Sequence, residues 1–169
     1  MLYSILLLLS LSLSILKVEA GISPQDRQSV LTIHNRFRKA HNTPELKWDN
    51  ALAQRASQFT DTCQFNRKIT TSLQNINALD NAAQGYGHWN QTIQAWYSGH
   101  KDYNFKSPGY TDDAGTFITM IWKDSAQMGC SSKSCSGGNL YSCIYSPSIP
   151  IHLLFNAAEY KSNVLLKGQ

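Results

Sequence analysis

The sequence predicts an α+β domain, and three observations lead to this class. Helical apolar periodicity fills most of the chain up to residue 123, two short strand patterns follow near 126–132 and 140–146, and a loop-rich tail ends it. Helices followed by strands, rather than alternating with them, are typical of α+β domains. The chain has 169 residues and four cysteines. A domain of about 150 residues buries roughly 68–70% of the surface that its unfolded chain exposes, so one real core is expected.

Residues 1–20 are predicted to be a signal peptide. An apolar run from Ile5 to Leu16 is followed by Val18-Glu19-Ala20, and small residues at the end of this segment suit signal peptidase. The run is shorter than the roughly 20 apolar residues that span a bilayer. An uncleaved anchor is the alternative, because the start of the segment lacks Lys and Arg. Cleavage after Ala20 predicts a secreted chain, 21–169, with no stable membrane anchor.

Two helices are predicted before the first cysteine. Ser23 is the expected N-cap of the first, with Pro24 in its first turn and Asp26 three residues after the cap, and this helix should end near His41. Its apolar face carries Val30, Ile33, His34, Phe37 and His41. Asp49 is the expected cap of the second helix. The inner face of that helix carries Leu52, Ala53, Ala56, Phe59 and Cys63.

The middle of the chain is predicted to be a polar loop over 66–87, followed by two more helices. The third helix should run from about Asn90 to Tyr97 and the fourth from about Ala114 to Lys123, each with an apolar face. The apolar tail residues are expected to cap the core, with the lining of a groove as the alternative. They are Ile149, Ile151, Leu153, Leu154 and Phe155.

The charges predict a solvated basic surface rather than a nucleic-acid interface. The formal net charge is +4, and loss of one Lys and one Glu with the signal peptide leaves it unchanged. Nucleic-acid binding needs a concentrated basic patch, whereas the basic residues here are dispersed. They include Arg27, Arg36, Arg38 and Lys39 near the first helix, and Lys101, Lys106, Lys123 and Lys133 elsewhere.

An even number of cysteines behind a signal peptide indicates disulfides. Cys63, Cys130, Cys135 and Cys143 allow three pairings. If the segments around Cys130 and Cys143 form a hairpin, those two cysteines can face each other, which leaves Cys63 for Cys135. That second bridge would close a loop of some 70 residues, worth about 4 kcal/mol in the chain-entropy model.

Several ordered motifs resemble one secreted family, the CAP superfamily (cysteine-rich secretory proteins, antigen 5 and pathogenesis-related class 1). The similar segments are HNRFRKAH at 34–41, PELKWDNALA at 44–53, TIQAWYSGHKDYNF at 92–105, GTFITMIWKDSAQMGC at 115–130 and LYSCIYSP at 140–147. The resemblance covers roughly residues 24–150 and is nearest the yeast pathogenesis-related branch. It implies a three-layer α-β-α sandwich, a CAP (SCP) domain over 21–150, a tail over 151–169 packed on it, and the disulfide pairing given above.

The resemblance also implies a cavity with two His and two Glu, and none of the four is present. The matching positions hold Arg67, Gln74, Gly99 and Thr116. Arg67 cannot ligate a cation, Gln74 and Thr116 are weak neutral ligands, and Gly99 offers no side chain. We therefore predict no metal, no cofactor and no acid–base chemistry at this cavity.

Substitution for the missing ligands by His88 or His100 is the alternative, although His100 is one residue out of register and so points about 100° away on a helix. His34 and His41 lie seven residues apart on one helical face. The resemblance makes both of them structural.

Two further features concern the surface. Asn90-Gln91-Thr92 is an N-glycosylation sequon, although its closeness to the third helix could prevent modification. The aromatic residues of 86–110 are expected to belong to the core, and the resemblance supplies the alternative of a sterol or fatty-acid surface. That surface would comprise Gln84–Asn90, with Tyr86 and Trp89, and the groove between the first and fourth helices.

The sequence therefore predicts a secreted, non-enzymatic binding protein with a degenerate cavity. The expected partner is a lipid (a sterol or fatty acid) or an extracellular protein. A hydrolase, protease-like in the manner proposed for some relatives, and a purely structural extracellular protein are the alternatives. No G-x-S-x-G, H-E-x-x-H or glycine-rich phosphate loop is present.

Overall fold

A computed structural model describes residues 22–65, 80–150 and 156–168. The elements in chain order are α1 (Pro24–Ala40), β1 (Lys47–Trp48), α2 (Asn50–Thr60), β2 (Asp80–Gln84), α3 (Trp89–Ser98), a 3₁₀ turn (Gly99–Lys101), α4 (Gly115–Ile121), β3 (Gln127–Cys135), β4 (Gly138–Ser146) and α5 (Ala157–Asn163). The signal-peptide segment, Arg67, Gln74 and 151–155 lie outside the described residues.

The strands form one mixed sheet between two layers of helices. The strand order is β1-β3-β4-β2, with β1 parallel to β3 and the other pairs antiparallel. Helix α2 covers one face of the sheet, and α1, α3 and α4 lie on the other side. This α-β-α sandwich is the predicted fold.

The first two helices begin at the predicted caps. Asp26 N–H donates to Ser23 Oγ at 3.0 Å, and Leu52 N–H donates to Asp49 Oδ1 at 2.8 Å. A side-chain oxygen at the N-cap satisfies one of the N–H groups that the helix leaves unpaired. Helix α2 packs closely on the sheet because Gly129 has no side chain, and a Cβ at this position would overlap the backbone N of Ala53.

Both disulfides expected from the hairpin argument are present. Cys130 faces Cys143 across the β3–β4 hairpin, and Cys63 is bonded to Cys135 at a Cα–Cα distance of 5.6 Å. The first bond joins two adjacent strands inside the core. The second ties the end of α2 to the end of β3, so the α2 layer is covalently attached to the sheet.

Two sequence predictions about secondary structure are wrong. Residues 80–84 form β2 rather than part of a polar loop, because all five residues pair with β4, from Asp80 opposite Ile144 to Gln84 opposite Leu140. The tail contains α5, capped by Asn156, where no helix was expected. Its Tyr160 is buried, with its ring 5.4 Å from that of Trp122, so this part of the tail packs on the domain.

Arg38 is not part of the solvated surface, contrary to the sequence prediction. Its guanidinium is fully buried and donates to five backbone carbonyls at 2.6–3.4 Å. The acceptors belong to Pro44, Met120, Trp122, Lys123 and Ser125. Arg38 therefore holds the chain after α1 and the chain after α4 together, which fixes the position of α4.

Candidate functional site

Gly99 lies where the 3₁₀ turn after α3 meets the loop before α4. A Cβ built on Gly99 would stand 2.7 Å from the carbonyl oxygen of Asp113 and 3.3 Å from Phe117 Cβ. Real Cβ atoms do not approach backbone oxygens this closely. The position that would carry a glutamate in the implied cavity is therefore filled by the neighbouring backbone, and no side chain fits there without a shift of the chain.

Thr116 lies on α4 at the position of the second missing histidine. Its Oγ1 donates to the carbonyl of Trp96 at 3.1 Å, and its own carbonyl accepts from Asn81 Nδ2 at 2.9 Å. The hydroxyl thus uses its one proton in a bond to helix α3. Of the four cavity positions, Gly99 and Thr116 are described, and both are used in contacts between elements.

A buried polar network lies beside Thr116, and the sequence did not reveal it as a unit. His34 Nδ1 donates to the carbonyl of Val30 at 2.8 Å, and His34 Nε2 accepts from the Tyr145 hydroxyl at 2.8 Å. Asn81 Nδ2 lies 3.3 Å from the same hydroxyl. Burial lowers the pKa of His34 to about 4. The neutral imidazole is therefore a structural acceptor in the core, as the resemblance implied.

His41 has the same kind of structural role at the other end of α1. Its Nε2 bonds the Tyr97 hydroxyl at 3.0 Å, and its Nδ1 bonds the carbonyl of Leu165 at 2.6 Å. Burial lowers the pKa of His41. Gly168 N–H also donates to the carbonyl of Ala40. The histidine therefore joins α1 to α3 and fixes the end of the tail.

The two histidines considered as replacement ligands are used elsewhere. His100 Nδ1 bonds the carbonyl of Tyr97 at 2.8 Å, and its ring stacks on the ring of Tyr97 with centroids 4.6 Å apart. His88 accepts from Gln91 N–H as the N-cap of α3. Within 22–65, 80–150 and 156–168, no group of three or more His, Cys, Asp or Glu side chains could hold a metal ion.

The loop before α3 presents one of its two candidate aromatic residues to solvent. Tyr86 is 38% exposed, whereas Trp89 is 5% exposed and packs edge-on against Tyr141 at 4.8 Å. The Tyr141 hydroxyl donates to the carbonyl of Tyr86 at 3.2 Å. Trp89 therefore anchors the loop from inside, and Tyr86 is the residue that a ligand can reach.

Aromatic rings fill the space around α1, α3 and α4. Phe37 and Tyr97 stack with centroids 3.8 Å apart, and Phe117 on α4 lies 5.8 Å from Tyr97 and 5.3 Å from His41. Because these rings occupy the predicted groove between the first and fourth helices, a lipid could enter only by displacing them. The loop with Tyr86 is therefore the more accessible of the two predicted surfaces.

Asn90 lies in the first turn of α3 and is exposed. The hydroxyl of Thr92, the third residue of the sequon, is buried and donates to the carbonyl of His88 at 3.2 Å. The folded domain thus presents the acceptor amide but buries the threonine. A glycan would have to be attached before α3 forms.

Residues 31–145, which contain the second half of α1, nearly all of the sheet and the four cavity positions, match the CAP family, described as the cysteine-rich secretory protein family. The chain belongs to this family. Human Golgi-associated plant pathogenesis-related protein 1 is 30% identical over 147 residues, which cover 85% of this chain and 94% of the relative. The motif resemblance found in the sequence is thereby confirmed.

Two fungal CAP relatives are longer than this chain. Protein PRY2 of Saccharomyces cerevisiae is 32% identical over 69% of this chain and 36% of its own length. Secreted protein RBT4 of Candida albicans is 31% identical over 73% of this chain and 35% of its own length. The chain thus spans about a third of these two relatives. Two disulfides fit the extracellular location that the family description indicates.

Solved structures give the same CAP fold. Na-ASP-1 aligns with a TM-score of 0.70 at 21% identity, covering 91% of this chain and 43% of that one. The venom allergen-like protein 4 of Schistosoma mansoni aligns with a TM-score of 0.61 at 23% identity, covering 76% and 94%. A third neighbour, NaASP2, was crystallised with Zn²⁺ and aligns with a TM-score of 0.67 at 17% identity, covering 88% and 89%. At these identities the likeness concerns the fold alone.

Proposed function

We propose that this CAP-family chain is a secreted binding protein without enzymatic activity and that its ligand is a lipid, a sterol or a fatty acid. The observation that supports the non-enzymatic part is the closure of the cavity at Gly99, where the Asp113 carbonyl occupies the place of a side chain. A catalytic or metal-ligating carboxylate cannot occupy this position on this backbone.

The cavity positions also lack the donors for zinc, the ion named with the structural neighbour NaASP2. Transition-metal sites in proteins need histidine, cysteine or carboxylate donors at fixed geometry. Arg67 and Gln74 replace two expected donors in the sequence, Gly99 has no side chain, and the Thr116 hydroxyl bonds Trp96. The donor set does not fit a divalent metal ion, so no step of the proposed function uses one.

The lipid part of the proposal is supported by the loop around Tyr86. Its base is fixed by buried Trp89 and by the bond from Tyr141 to the Tyr86 carbonyl. Gly87 N–H donates to Gln91 Oε1 at 3.1 Å, which ties the tip to α3. An exposed aromatic ring on a fixed loop offers apolar contact area without an ordering cost, and such area is what a sterol or an acyl chain requires.

We further propose that residues 1–20 are removed as a signal peptide, that the CAP domain covers 21–150 with the tail 151–169 packed on it, and that Asn90 carries an N-linked glycan. The described residues contain no helix that is long and apolar enough to cross a membrane. Secretion from a eukaryotic host with N-terminal sequencing tests the signal peptide, and glycosidase treatment tests the glycan. An N-terminus at Met1, or a mass unaffected by the glycosidase, would contradict the corresponding statement.

The decisive experiment measures lipid binding by the purified secreted protein. Cholesterol, ergosterol and palmitate are titrated, with zinc in a parallel titration, and Tyr86→Ala is compared with Tyr110→Ala. Tyr110 is a matched control because it is exposed to a similar extent, 44%, in a different loop. We expect saturable lipid binding that Tyr86→Ala weakens about tenfold and Tyr110→Ala leaves unchanged, since loss of an aromatic contact of about 1.4 kcal/mol corresponds to tenfold.

Failure of all three lipids to bind would overturn the lipid part and leave an extracellular protein as the ligand class. Binding that both tyrosine variants leave intact would place the lipid elsewhere. Tight stoichiometric zinc binding would overturn the account of the closed cavity.

A further inference from the structure

A furrow runs along the outer side of α1, away from the closed cavity, and nothing in the proposed lipid function uses it. Its main part encloses about 590 Å³ between α1 and β1, and a second part of about 460 Å³ adjoins it at Lys39 and Glu45. We call the two parts together the α1 furrow. The main part is lined by Gln28, Leu31, Thr32, Asn35, Arg36, Lys39, Glu45, Leu46, Lys47 and Trp48.

The walls of the α1 furrow are fixed before any ligand arrives. Asn35 Nδ2 donates to the carbonyl of Leu46 at 3.0 Å, and Leu46 N–H donates to Asn35 Oδ1 at 2.8 Å. Arg38 Nε holds the carbonyl of Pro44 at 2.6 Å, and β1 pairs with β3 through Lys47 and Trp48. Because both walls are rigid, binding here requires little ordering of the protein.

The furrow has an excess of positive charge. Arg36, Lys39 and Lys47 line the main part against one carboxylate, Glu45, and Lys123 lines the far part. In the part of the chain that the structure describes, none of these four cations forms an ion pair. Uncompensated cations in a surface groove attract an anionic ligand.

An aromatic ring lies at the β1 side of the furrow. Trp48 is half-buried, and its Nε1 donates to Asn50 Oδ1 at 3.0 Å, which fixes the plane of the ring. The Arg27 guanidinium lies over one face of the ring, 5.2 Å from its centroid, and covers that face. Gln28, Thr32 and Asn35 line the same part of the furrow, and the Asn35 amide is already bonded to Leu46. The uncovered part of a fixed aromatic ring among polar groups suits a sugar ring, which has an apolar face and a rim of hydroxyls.

The shape and lining favour a long polar ligand over an acyl chain. The furrow follows α1 from Gln28 to Lys39, which at 1.5 Å per residue is about 17 Å, and continues past the end of the helix to Asn42. Most of its lining side chains end in a polar or charged group, while their aliphatic stems and the Trp48 ring make up much of the lining surface. The charged ends therefore select an anionic ligand, and the stems and the ring can contact its apolar faces. We propose that the α1 furrow binds a linear acidic saccharide, with uronate or sulfate groups on the four cations and a sugar ring on Trp48.

The test titrates the secreted protein with a heparin-derived hexasaccharide and an oligogalacturonate hexamer, which separate sulfate from carboxylate recognition. Maltohexaose, a thymidine hexanucleotide and anionic phosphatidylserine vesicles are the comparison ligands. Arg36→Gln/Lys39→Gln removes two exposed furrow cations, of which Arg36 contacts only the neighbouring Phe37 ring, at 5.2 Å from its centroid. Lys101→Gln/Lys106→Gln removes two exposed charges elsewhere and is the matched control. Each measurement is made at low and at raised salt.

Tryptophan fluorescence gives a signal that purely ionic binding would leave unchanged. Of the four tryptophans, Trp89, Trp96 and Trp122 are buried and only Trp48 is partly exposed, so a change on saccharide binding reports Trp48. Trp48→Phe keeps an aromatic ring for folding and should abolish the change. We expect the Arg36→Gln/Lys39→Gln variant to bind at least one hexamer about tenfold more weakly, with the control unchanged and affinity falling as salt rises.

Equal binding of the hexanucleotide would show an unselective polyanion surface and overturn the proposal. Binding of the vesicles alone would assign the furrow to a lipid headgroup and overturn it as well. Absence of binding by both acidic hexamers, or loss of binding to the same extent in the Lys101→Gln/Lys106→Gln control, would also overturn it. None of these results depends on sterol or fatty-acid binding at Tyr86.

Discussion

The His34 imidazole and the Tyr145 hydroxyl meet at 2.8 Å from residues 111 positions apart in the chain. This bond joins α1 to the central sheet inside the core. Because His34 Nδ1 already donates to the Val30 carbonyl, Nε2 is free to accept only while the imidazole is neutral. The bond between the helix layer and the sheet therefore depends on the protonation state of one buried side chain.

The protonation of His34 predicts a loss of stability in acid. The folded pKa is about 4, whereas an unfolded histidine titrates near 6.5. Between these values the unfolded chain binds the additional proton, so the free energy of unfolding decreases as pH falls, by about 2–3 kcal/mol from pH 7 to 4.5. Urea unfolding of the wild type and His34→Gln at both pH values measures this term.

The expected result is that the stability difference between wild type and His34→Gln is large at pH 7 and shrinks by about 2–3 kcal/mol at pH 4.5. His88→Asn, which replaces an exposed imidazole, controls for loss of a histidine as such. A difference that stays the same at both pH values would show that His34 does not titrate as stated.

Arg38 predicts a large loss of stability on removal of one side chain. Arg38→Met would leave five buried or half-buried carbonyls without their donor, and an abandoned buried polar group costs about 1–3 kcal/mol. Since some carbonyls would find water, we expect a total loss of about 3–5 kcal/mol in chemical denaturation. Lys39→Met, one residue away and exposed, should change stability by less than about 0.5 kcal/mol. Equal effects of the two substitutions would refute the role of Arg38.

Local features of the fold could be predicted from the sequence, whereas long-range pairings could not. Ser23 and Asp49 were recognisable as caps because a helix start depends on a few adjacent residues. Strand β2, Asp-Asn-Ala-Ala-Gln, was missed because these residues have low strand propensity. Its pairing with β4 decides its conformation.

The candidate site shows the same difference between local features, which the sequence reveals, and long-range contacts, which it does not. The missing donors at Gly99 and Thr116 were visible as residue types, but their closure by Asp113 and Trp96 depends on packing. One feature of the sequence indicated the burial of Arg38. Arg38 follows His34 by four residues and so shares the inner face of α1. Tyr145 and Asn81 had none, because their partners lie 35 to 111 positions away.

The burial of Asp80 predicts that stability decreases as pH rises, which is opposite to the effect of His34. One of its carboxylate oxygens is shielded from solvent and has no hydrogen-bond partner in the described part of the chain, and burial raises the pKa of Asp80 to about 6. The folded state therefore keeps a proton that the unfolded state loses near pH 4, and stability falls as pH rises from about 4 to 6. Asp80→Asn should raise the unfolding free energy by about 2–3 kcal/mol at pH 7 and leave it unchanged at pH 3.5.

The matched control for this change is Asp102→Asn, which removes an exposed carboxylate. It should have little effect at either pH. Thermal or urea unfolding across pH 3.5–7 measures both variants. The result that contradicts the prediction is an Asp80→Asn protein less stable than the wild type at pH 7, since it would mean that the charged form of Asp80 is stabilised by a partner.

The close packing around Gly99 predicts that even the methyl group of alanine disturbs the closed cavity. Glycine to alanine at an ordinary helical φ stabilises a protein by about 0.4–1 kcal/mol through the unfolded chain, and Gly99 has such a φ, −58°. A Cβ here would nevertheless stand 2.7 Å from the backbone oxygen of Asp113, so the two segments must move apart. We expect Gly99→Ala to lower the unfolding free energy by about 1–3 kcal/mol.

Gly109→Ala is the control for Gly99→Ala, because a Cβ on Gly109 would meet nothing within 4 Å. It should be neutral within about 0.5 kcal/mol. If Gly99→Ala were as stable as the wild type, the backbone would have room to open, and the closure of the cavity at Gly99 would be refuted. If it is destabilised as expected, the position lacks the space for a side chain as well as the ligand itself.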